Sequence, residues 1–416
     1  MPRLTRYLLL RPPLMSPSAT VQTAVQPLAS DHLSVYPNST LKDSRYTILR
    51  KLGEGVSATT WLVRDSQGPP QDPYLATKIL TAEATKMHEA GKTKELEILK
   101  ELRDMGVDRE YLPLMYDDFV ERSPLGSHLC IVMSLYSDSV SALRRSSPTK
   151  ALPPYMVRNI IHMLVEALDQ LHERRIVHTD VKLSNLLFGN SLYYNDKDLE
   201  RYLESHPVET VGDFELKGRR YPILEQPIPH PYAWDTSAFE AEKMIIYLVD
   251  FGHAQRAGEQ PTADGFGALA LRAPEVILWS DFGPGVDIWA VGCITFELLV
   301  GRWLFEPEEG EDWSIDDDHL AKMMELTGQS FPQPMLERSK CSKQYFADDG
   351  NLLRISELIP SSLETAMANY KIPGLSEDEI KKAADFIRAC LRFDYKERAT
   401  AKELQDHPFL ADAFKC

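Results

Sequence analysis

The sequence predicts an α+β fold in which a strand-rich first part precedes a helix-rich second part. The chain has 416 residues, of which 43% are hydrophobic and 26% are charged, as in ordinary globular proteins. Short apolar segments bounded by turn residues occupy the region before residue 136, and apolar residues at helical spacing dominate after it. This length has room for two or three compact units of roughly 150 residues each.

The strands of the first part are predicted at 46–52, 59–64 and 74–80, where β-branched and aromatic residues are common. Turn residues such as those at 67–70 separate them, so we expect an antiparallel meander. A polar helix is predicted at 82–103 and another strand at 128–135. A long helix follows. Its buried stripe consists of apolar residues at steps of three and four, namely Met156, Ile160, Ile161, Leu164, Leu168 and Leu171.

Charge and cysteine content exclude several classes of protein. The formal net charge of -16 disfavours direct binding to nucleic acid or to an anionic membrane and favours a basic partner. The five cysteines form no C-x-x-C pair, which argues against a disulfide framework or a structural zinc site. No apolar run approaches the 18 or so residues of a membrane span. We therefore expect a soluble protein, a monomer, in a reducing compartment.

Residues 1–44 differ from the rest of the chain, because proline, serine and threonine are frequent there and the first acidic residue is Asp31. We predict a disordered extension. The arginines near the start are also typical of an organellar transit peptide, but Pro12 and Pro13 would end an amphipathic helix early. Cytoplasmic and nuclear localisation is therefore preferred over mitochondrial import.

Two glycines, Gly53 and Gly55, lie in the turn predicted between the first two strands. Glycine lets backbone amides approach phosphate oxygens, although a hairpin with this spacing is more often only a turn.

About twenty residues after the glycine pair, Lys78 stands among apolar residues of a strand, and a buried ammonium needs a partner. Glu95, in the helix predicted at 92–102, is the candidate, unless both side chains are simply solvated.

The strongest signal is the segment 176–187, in which an apolar strand end delivers Asp180, Lys182 and Asn185 on one short loop. Phosphoryl transfer needs a carboxylate for the hydroxyl proton, a cation for the moving charge and an amide oxygen for the metal. Asp250, in the sequence Asp-Phe-Gly after an apolar strand, places another carboxylate where magnesium binds. Ala273-Pro274-Glu275 and Arg398 follow in order.

With these motifs in place, the chain resembles the eukaryotic protein kinase family from about Arg45 to Phe409. Within it, the chain is most similar to the serine/arginine-protein kinases, which phosphorylate Arg/Ser-rich splicing factors. Four features carry this closer likeness: a glycine loop that ends in a small residue before Trp61, Thr179 between His178 and Asp180, a long insertion before Asp250, and the segment 304–319.

The resemblance implies a bilobal protein-kinase-like fold with a β small lobe at 45–136 and a mainly α large lobe at 137–416. It also implies ATP and Mg²⁺ as cofactors and Ser/Thr acceptors in Arg/Ser-rich proteins, the residue Lys182 favouring serine or threonine over tyrosine. The implied catalytic residues are Asp180, Lys182 and Asn185, and the implied metal ligands are Asn185 and Asp250. The implied ATP-binding residues are Leu52, Gly53, Gly55, Ala76, Lys78, Glu95, Ser134, Tyr136 and Leu187, and the implied structural residues are Glu275, Asp287 and Arg398.

Some positions depart from the family pattern. Thr179 replaces the arginine with which many kinases hold a phosphorylated activation loop, and Thr262 is the only hydroxyl-bearing residue between Asp250 and Glu275. We therefore expect activity without activation-loop phosphorylation. Ala268 and Leu271 stand where the family usually has Thr and Tyr.

Glu306–Asp318 contains eight acidic residues out of thirteen and no Lys or Arg. Such a run is often only a solvated loop, but several carboxylates facing an Arg-rich peptide add up through charge-assisted bonds. Asp316, Asp317 and Asp318 are the candidate docking residues. The insertion 188–243 is far longer than the loops of compact domains, and its role does not follow from its composition.

Two other interpretations remain open at this point. One is a catalytically weak or inactive scaffold of the same fold that binds basic partners, because Ala58 and Ala268 are irregular. The other is a small-molecule phosphotransferase, against which the motifs at 273–275 and 287–292 and Arg398 weigh, since they support a platform for protein substrates.

Overall fold

A computed structural model describes residues 31–68, 73–106, 109–190, 196–209, 215–216, 219–220, 225–259, 267–372 and 374–415. Within these ranges every helix is too short or too polar to cross a membrane.

The first part of the chain forms an antiparallel sheet of six strands in the spatial order β1-β2-β3-β4-β6-β5. The strands are β1 Thr40–Leu41, β2 Tyr46–Glu54, β3 Ala58–Asp65, β4 Tyr74–Leu80, β5 Met115–Ser123 and β6 Gly126–Ser134. The predicted meander and the predicted strand at 128–135 are therefore confirmed. The edge strand β5 was not predicted, because its mixed polar sequence lacks the apolar pattern of a buried strand.

Residues 31–44, which were predicted to belong to a disordered extension, are part of the folded structure. Val35 and Leu41 are buried against the outer face of the sheet, and β1 pairs with β2. Lys42 binds Asp117 on the distant strand β5, with 2.7 Å between Nζ and Oδ1. Residues 31–44 are thus part of the small lobe, and the prediction is wrong for them. Residues 1–30 lie outside the described residues.

The polar helix predicted at 82–103 is two helices, α1 Ala82–Glu89 and α2 Glu95–Asp104. Thr81 caps α1 by accepting a hydrogen bond from Ala84 N at 3.1 Å. Gly91 has a left-handed backbone with φ of +70°, which ends the first helix and lets the chain turn before α2.

The second part is mainly helical, with two small strand pairings near its junction with the sheet. The strands are β7 Tyr136–Ser139, β8 Ile176–Val177, β9 Leu186–Gly189, β10 Glu215–Leu216, β11 Arg219–Arg220, β12 Ile246–Leu248 and β13 Gln255–Arg256. In the two pairings near the junction, β12 and β7 flank β9, and β13 pairs with β8. The helices are α3 Val140–Ser146, α4 Pro154–Glu173, α5 Asp196–Ser205, α6 Ala238–Ala241, α7 Pro274–Ile277, α8 Gly285–Val300, α9 Ile315–Thr327, α10 Gln333–Arg338, α11 Ser342–Tyr345, α12 Leu363–Asn369, α13 Glu377–Cys390 and α14 Ala401–Gln405.

Helix α8 is the centre of the large lobe, because all of its residues are buried. It packs against α4, whose predicted apolar stripe is fully buried, and against α13. A Cβ on Gly292 would lie 2.7 Å from the Cβ of Cys390, so glycine permits the close approach of α8 and α13.

One part of the insertion 188–243 packs against the small lobe, whereas its last part lies against α4, with 3.2 Å between Asn159 Nδ2 and the carbonyl of Ala241. Leu199 of α5 and Ile228 are buried in a cluster with the small-lobe residues Leu62 and Ala76. Backbone hydrogen bonds join Gln226 N to the carbonyl of Lys51 at 2.9 Å and Asp138 N to the carbonyl of Ile228 at 2.8 Å. The insertion therefore connects β2 with the linking strand β7.

Candidate active site

Three charged side chains from distant segments meet at the junction of the two parts of the molecule. Lys78 lies in the middle of β4, Glu95 is the first residue of α2, and Asp250 follows β12. Lys78 Nζ lies 2.6 Å from Glu95 Oε1 and 2.9 Å from Asp250 Oδ1. The ion pair predicted between Lys78 and Glu95 is therefore present, and the alternative of two solvated charges is wrong.

The local electrostatics favour the charged forms of Lys78 and Asp250. Burial alone would lower the pKa of Lys78, but the two carboxylates outweigh it and raise that pKa above its ordinary value. The Lys78 ammonium lowers the pKa of Asp250 below the ordinary value, against the effect of burial. The side chain of Asp250 remains 40% exposed, so its carboxylate is accessible to a ligand.

The loop after β8 gathers a second group of polar side chains. Lys182 Nζ lies 2.6 Å from Asp180 Oδ2, and Asn185 Nδ2 donates to both the carbonyl and Oδ2 of Asp180, at 2.9 and 3.1 Å. Because Asn185 uses its Nδ2 group on Asp180, the Oδ1 atom is left to act as an acceptor or metal ligand. The carbonyl of Asn185 also accepts from Val249 N at 2.9 Å, which ties this loop to the segment that carries Asp250.

Asp287, at the start of α8, holds the backbone of this loop. Its carboxylate accepts hydrogen bonds from the backbone N atoms of His178 and Thr179, both at 2.8 Å, and lies 2.9 Å from His172 Nε2. Thr179 has φ of +65°, an uncommon backbone conformation for a β-branched residue, and these bonds stabilise it. The structural role expected for Asp287 thus has a physical basis.

Thr179 and His178 have roles that the motif alone did not reveal. Thr179 Oγ1 donates to the carbonyl of His253 at 2.7 Å, and His178 Nε2 lies 3.0 Å from the carbonyl of Val249. The His178 ring also packs against the buried Phe251 ring at 5.0 Å. The loop of Asp180 and the segment of Asp250 are therefore fixed to each other, and no sequence signal indicated the partners.

The glycine pair lies in the hairpin that joins β2 and β3. A Cβ on Gly53 would meet no atom within 4 Å, and one on Gly55 would meet only the carbonyl of Ala58, at 3.8 Å. Both glycines have negative φ, so the turn itself does not need them. What glycine supplies here is open space over the backbone, which fits close approach of a phosphate.

The predicted nucleotide-binding residues with apolar or hinge roles lie around the same junction. Leu52 of β2 packs against the cluster that contains Ala76 of β4. Ser134 ends β6, and the ring of Tyr136 in β7 packs on that of Tyr247 with centroids 4.6 Å apart. Leu187 of β9 is paired with Tyr247 in the small sheet.

The donor set fits a nucleotide with magnesium. Asp250 offers a carboxylate oxygen and Asn185 an amide oxygen. Proteins usually bind Mg²⁺ through one or two such oxygens, and phosphates and water provide the other ligands. Lys78 would supply a cation for phosphate oxygens, and the glycine hairpin would supply backbone amides.

The docking role predicted for Asp317 and Asp318 is wrong, because both carboxylates are buried and already bound. Asp317 closes the N-terminal capping box of α9 with Ser314 and binds Arg354 at 2.8 Å. Asp318 accepts from Glu308 N at 2.9 Å and binds Lys322 at 3.1 Å.

Asp316 differs from its two neighbours, because its side chain remains 33% exposed. It lies 3.3 Å from the hydroxyl of Tyr345 and 3.9 Å from Arg272. Of the three candidate docking residues, Asp316 alone keeps a partly exposed carboxylate.

Glu275 of α7 and Arg398 form the expected structural pair. Arg398 NH1 and NH2 lie 2.7 and 2.9 Å from the two carboxylate oxygens, and both side chains are fully buried. Arg398 NH1 also donates to the carbonyl of Gly285 at 2.6 Å, which fixes the start of α8.

The segment between Asp250 and Glu275 is described only in part. Thr262 lies outside the described residues. Gly267 has φ of +81°, and a Cβ there would lie 3.4 Å from the carbonyl of Thr179. Ala268 precedes a short 3-10 turn, Leu269–Leu271, and cannot bond to Asp180 and Lys182 as a threonine would. Asp180 and Lys182 bind each other directly instead.

Comparison with known proteins gives a consistent result. A family model described as protein kinase domain matches residues 46–206 and 238–410. Serine/threonine-protein kinase SRPK of Physarum polycephalum is 28% identical over 386 residues, covering 89% of this chain and 86% of that protein. Protein kinase dsk1 of Schizosaccharomyces pombe is 25% identical and covers 91% and 82%, and SRSF protein kinase 3 of Mus musculus is 23% identical and covers 89% and 87%.

Proposed function

The chain belongs to the protein kinase family, and on that premise we propose that it phosphorylates serine residues of Arg/Ser-rich proteins. The reaction is transfer of the γ-phosphoryl group of ATP to serine or threonine hydroxyls, with Mg²⁺ as cofactor. The observation that carries this proposal is the assembly of Lys78, Glu95 and Asp250 beside the loop of Asp180.

Each side chain has a distinct task in this reaction. Lys78, oriented by Glu95, holds phosphate oxygens, and Asp180 orients the substrate hydroxyl and accepts its proton. Lys182 stabilises negative charge on the transferring group. Asn185 and Asp250 would hold Mg²⁺, which neutralises phosphate charge when it is bound.

The charge of the protein supports a basic substrate. The net charge is -16, and the name of the mouse relative states that it acts on SRSF proteins. Glu306, Glu309, Glu311 and Asp312 are exposed on the loop before α9. We place the contacts with the arginine side chains of the substrate on these four carboxylates and not on Asp317 and Asp318.

The proposal is tested with peptides of alternating arginine and serine, [γ-³²P]ATP and Mg²⁺. We expect labelled phosphoserine, and much weaker labelling when glutamine replaces each arginine. Equal labelling of both peptides would refute the substrate class. Labelling of small alcohols or sugars but of no peptide would favour the phosphotransferase alternative, and no transfer at all would favour the scaffold.

We expect reversal of the exposed carboxylates to weaken peptide binding. The triple substitution Glu309→Lys, Glu311→Lys and Asp312→Lys should raise KM for the Arg/Ser peptide by about tenfold, because it replaces attraction by repulsion at the docking surface. The rate constant kcat should stay unchanged, and KM should lose most of its dependence on salt. Steady-state kinetics at several NaCl concentrations measure these quantities.

A matched control makes the same change in net charge elsewhere. The substitutions Glu83→Lys, Glu89→Lys and Asp104→Lys alter exposed residues of α1 and α2 and should leave KM nearly unchanged. Equal increases of KM in both triple variants would mean that overall charge, and not the loop, controls binding.

Activity should not depend on phosphorylation of the segment that contains Thr262. Thr179 cannot form an ion pair with a phosphate, and its hydroxyl is already bonded to His253. Phosphatase treatment, checked by mass spectrometry, and the substitution Thr262→Ala should both leave kcat unchanged. A large loss of rate in either experiment would contradict this prediction.

A further inference from the structure

Helix α2 must keep its position for Glu95 to reach Lys78. Glu95 is the first residue of the helix, and its N-cap residue, Lys94, makes no capping hydrogen bond through its side chain. The helix packs on the sheet through apolar residues, including Ile98 and Leu102, on one face only. This apolar packing sets which face of the helix meets the sheet, but it makes no bond from the opposite face to the segment after Asp250. A directional contact on that face would supply such a bond.

Arg256 makes such a contact. Its NH2 group lies 2.6 Å from Glu101 Oε2 and 3.1 Å from Glu97 Oε1, two carboxylates one turn apart on α2. The Arg256 side chain is 18% exposed, whereas those of Glu97 and Glu101 are 56% and 37% exposed, so water screens the bond to Glu101 less than the bond to Glu97. Hydrogen bonding to Glu101 raises the pKa of Arg256 above its ordinary value, against the effect of burial.

The backbone of Arg256 is anchored at the active site. Arg256 lies in β13 and pairs with Ile176 of β8, the strand that leads into the loop of Asp180. It is also six residues after Asp250. One residue therefore joins three parts of the site, namely the helix of Glu95, the strand that follows Asp250 and the strand that precedes Asp180.

We propose that Arg256 is a positioning residue for phosphoryl transfer, which holds α2 against β13 and thereby keeps Glu95 on Lys78. The ion pairs with Glu97 and Glu101 connect α2 to the segment after Asp250 without any phosphate group. The proposal rests on the proposed kinase function and adds to it the means by which the helix is held.

The test compares Arg256→Gln with Arg103→Gln. Arg103 lies on α2, and its Nε is 3.3 Å from its exposed neighbour Asp104, so this control removes the same charge from an ion pair of the helix that Arg256 contacts. Arg256→Gln should lower kcat about tenfold, equivalent to about 1.4 kcal/mol, with a smaller change in KM for the peptide. Arg103→Gln should leave both unchanged.

Hydrogen exchange gives a readout that does not depend on activity. We expect faster exchange of the amides of α2 in Arg256→Gln, with the amides of α4 and α8 protected as in the wild type. A purely structural role would instead speed exchange throughout the large lobe. If the wild type transfers no phosphate to any peptide, the proposed function fails, but the exchange of α2 still decides the role of Arg256.

A charge swap tests the pairing itself. Arg256→Glu should impair kcat more than Arg256→Gln does, and adding Glu101→Arg should restore part of the loss, because the two residues contact each other. The proposal is overturned if Arg256→Gln matches Arg103→Gln in both kcat and exchange, or if exchange rises throughout the large lobe. It is also overturned if Glu101→Arg restores nothing.

Discussion

Replacing Asp180 by alanine should lower kcat for peptide phosphorylation by about 10³-fold while the protein stays folded. In the proposed reaction this carboxylate accepts the hydroxyl proton, and it also binds Lys182 and Asn185 through Oδ2. Its removal therefore takes away the base and loosens two neighbours that act in the same step. Single-turnover measurements with radiolabelled ATP report the chemical step directly.

Binding of ATP and thermal stability should change little in this variant. Lys78, Glu95 and Asp250 keep their mutual contacts, and Asp287 still holds the backbone of the loop. Asp281→Ala, at an exposed carboxylate beside Arg338, is a matched control that should retain full activity. A rate for Asp180→Ala within about tenfold of the control would be inconsistent with proton transfer to this residue.

The substitution Arg398→Gln should reduce the free energy of unfolding by about 3–5 kcal/mol, because it leaves the carboxylate of Glu275 buried without a partner. Both side chains are fully buried, and Arg398 also binds the carbonyl of Gly285. The substitution should also disturb the active site, because α8 begins at Gly285 and contains Asp287. Thermal unfolding monitored by tryptophan fluorescence measures the effect.

Two further variants test whether the lost stability comes from the unpaired buried charge or from the altered side-chain packing. Glu275→Gln should destabilise to a similar extent, and the double substitution Glu275→Leu with Arg398→Met should recover much of the loss, because no charge is then buried alone. Arg338→Gln, at an exposed ion pair, should change stability by less than about 1 kcal/mol. Stability of Arg398→Gln equal to that control would contradict the prediction.

The contacts predicted at the candidate site are present where neighbouring residues in the sequence already indicate them. Lys78 among apolar strand residues requires a buried partner, and one short loop places Asp180, Lys182 and Asn185 together. Such inferences need only neighbouring residues, so they could be made before any tertiary contact was known.

The wrong predictions concern residues whose partners are distant in sequence. In the sequence, Asp317 belongs to an acidic run that is typical of a solvated loop. In the fold, Arg354, 37 positions later, binds its carboxylate. Lys42 likewise orders the chain near β1 through Asp117, 75 positions away. Arg256 belongs to no recognisable motif, because the role that we propose for it depends on where α2 lies in the fold.

The connection that the insertion makes between Lys51 and Asp138 bears on how ADP leaves. The stretch from Gln226 to Ile228 is hydrogen-bonded at one end to Lys51 of β2 and at the other to Asp138 of β7. Any rotation of the small lobe relative to the large lobe that opens the nucleotide site therefore carries this stretch along or breaks one of these bonds, at a cost of about 0.5–1.5 kcal/mol for each bond lost.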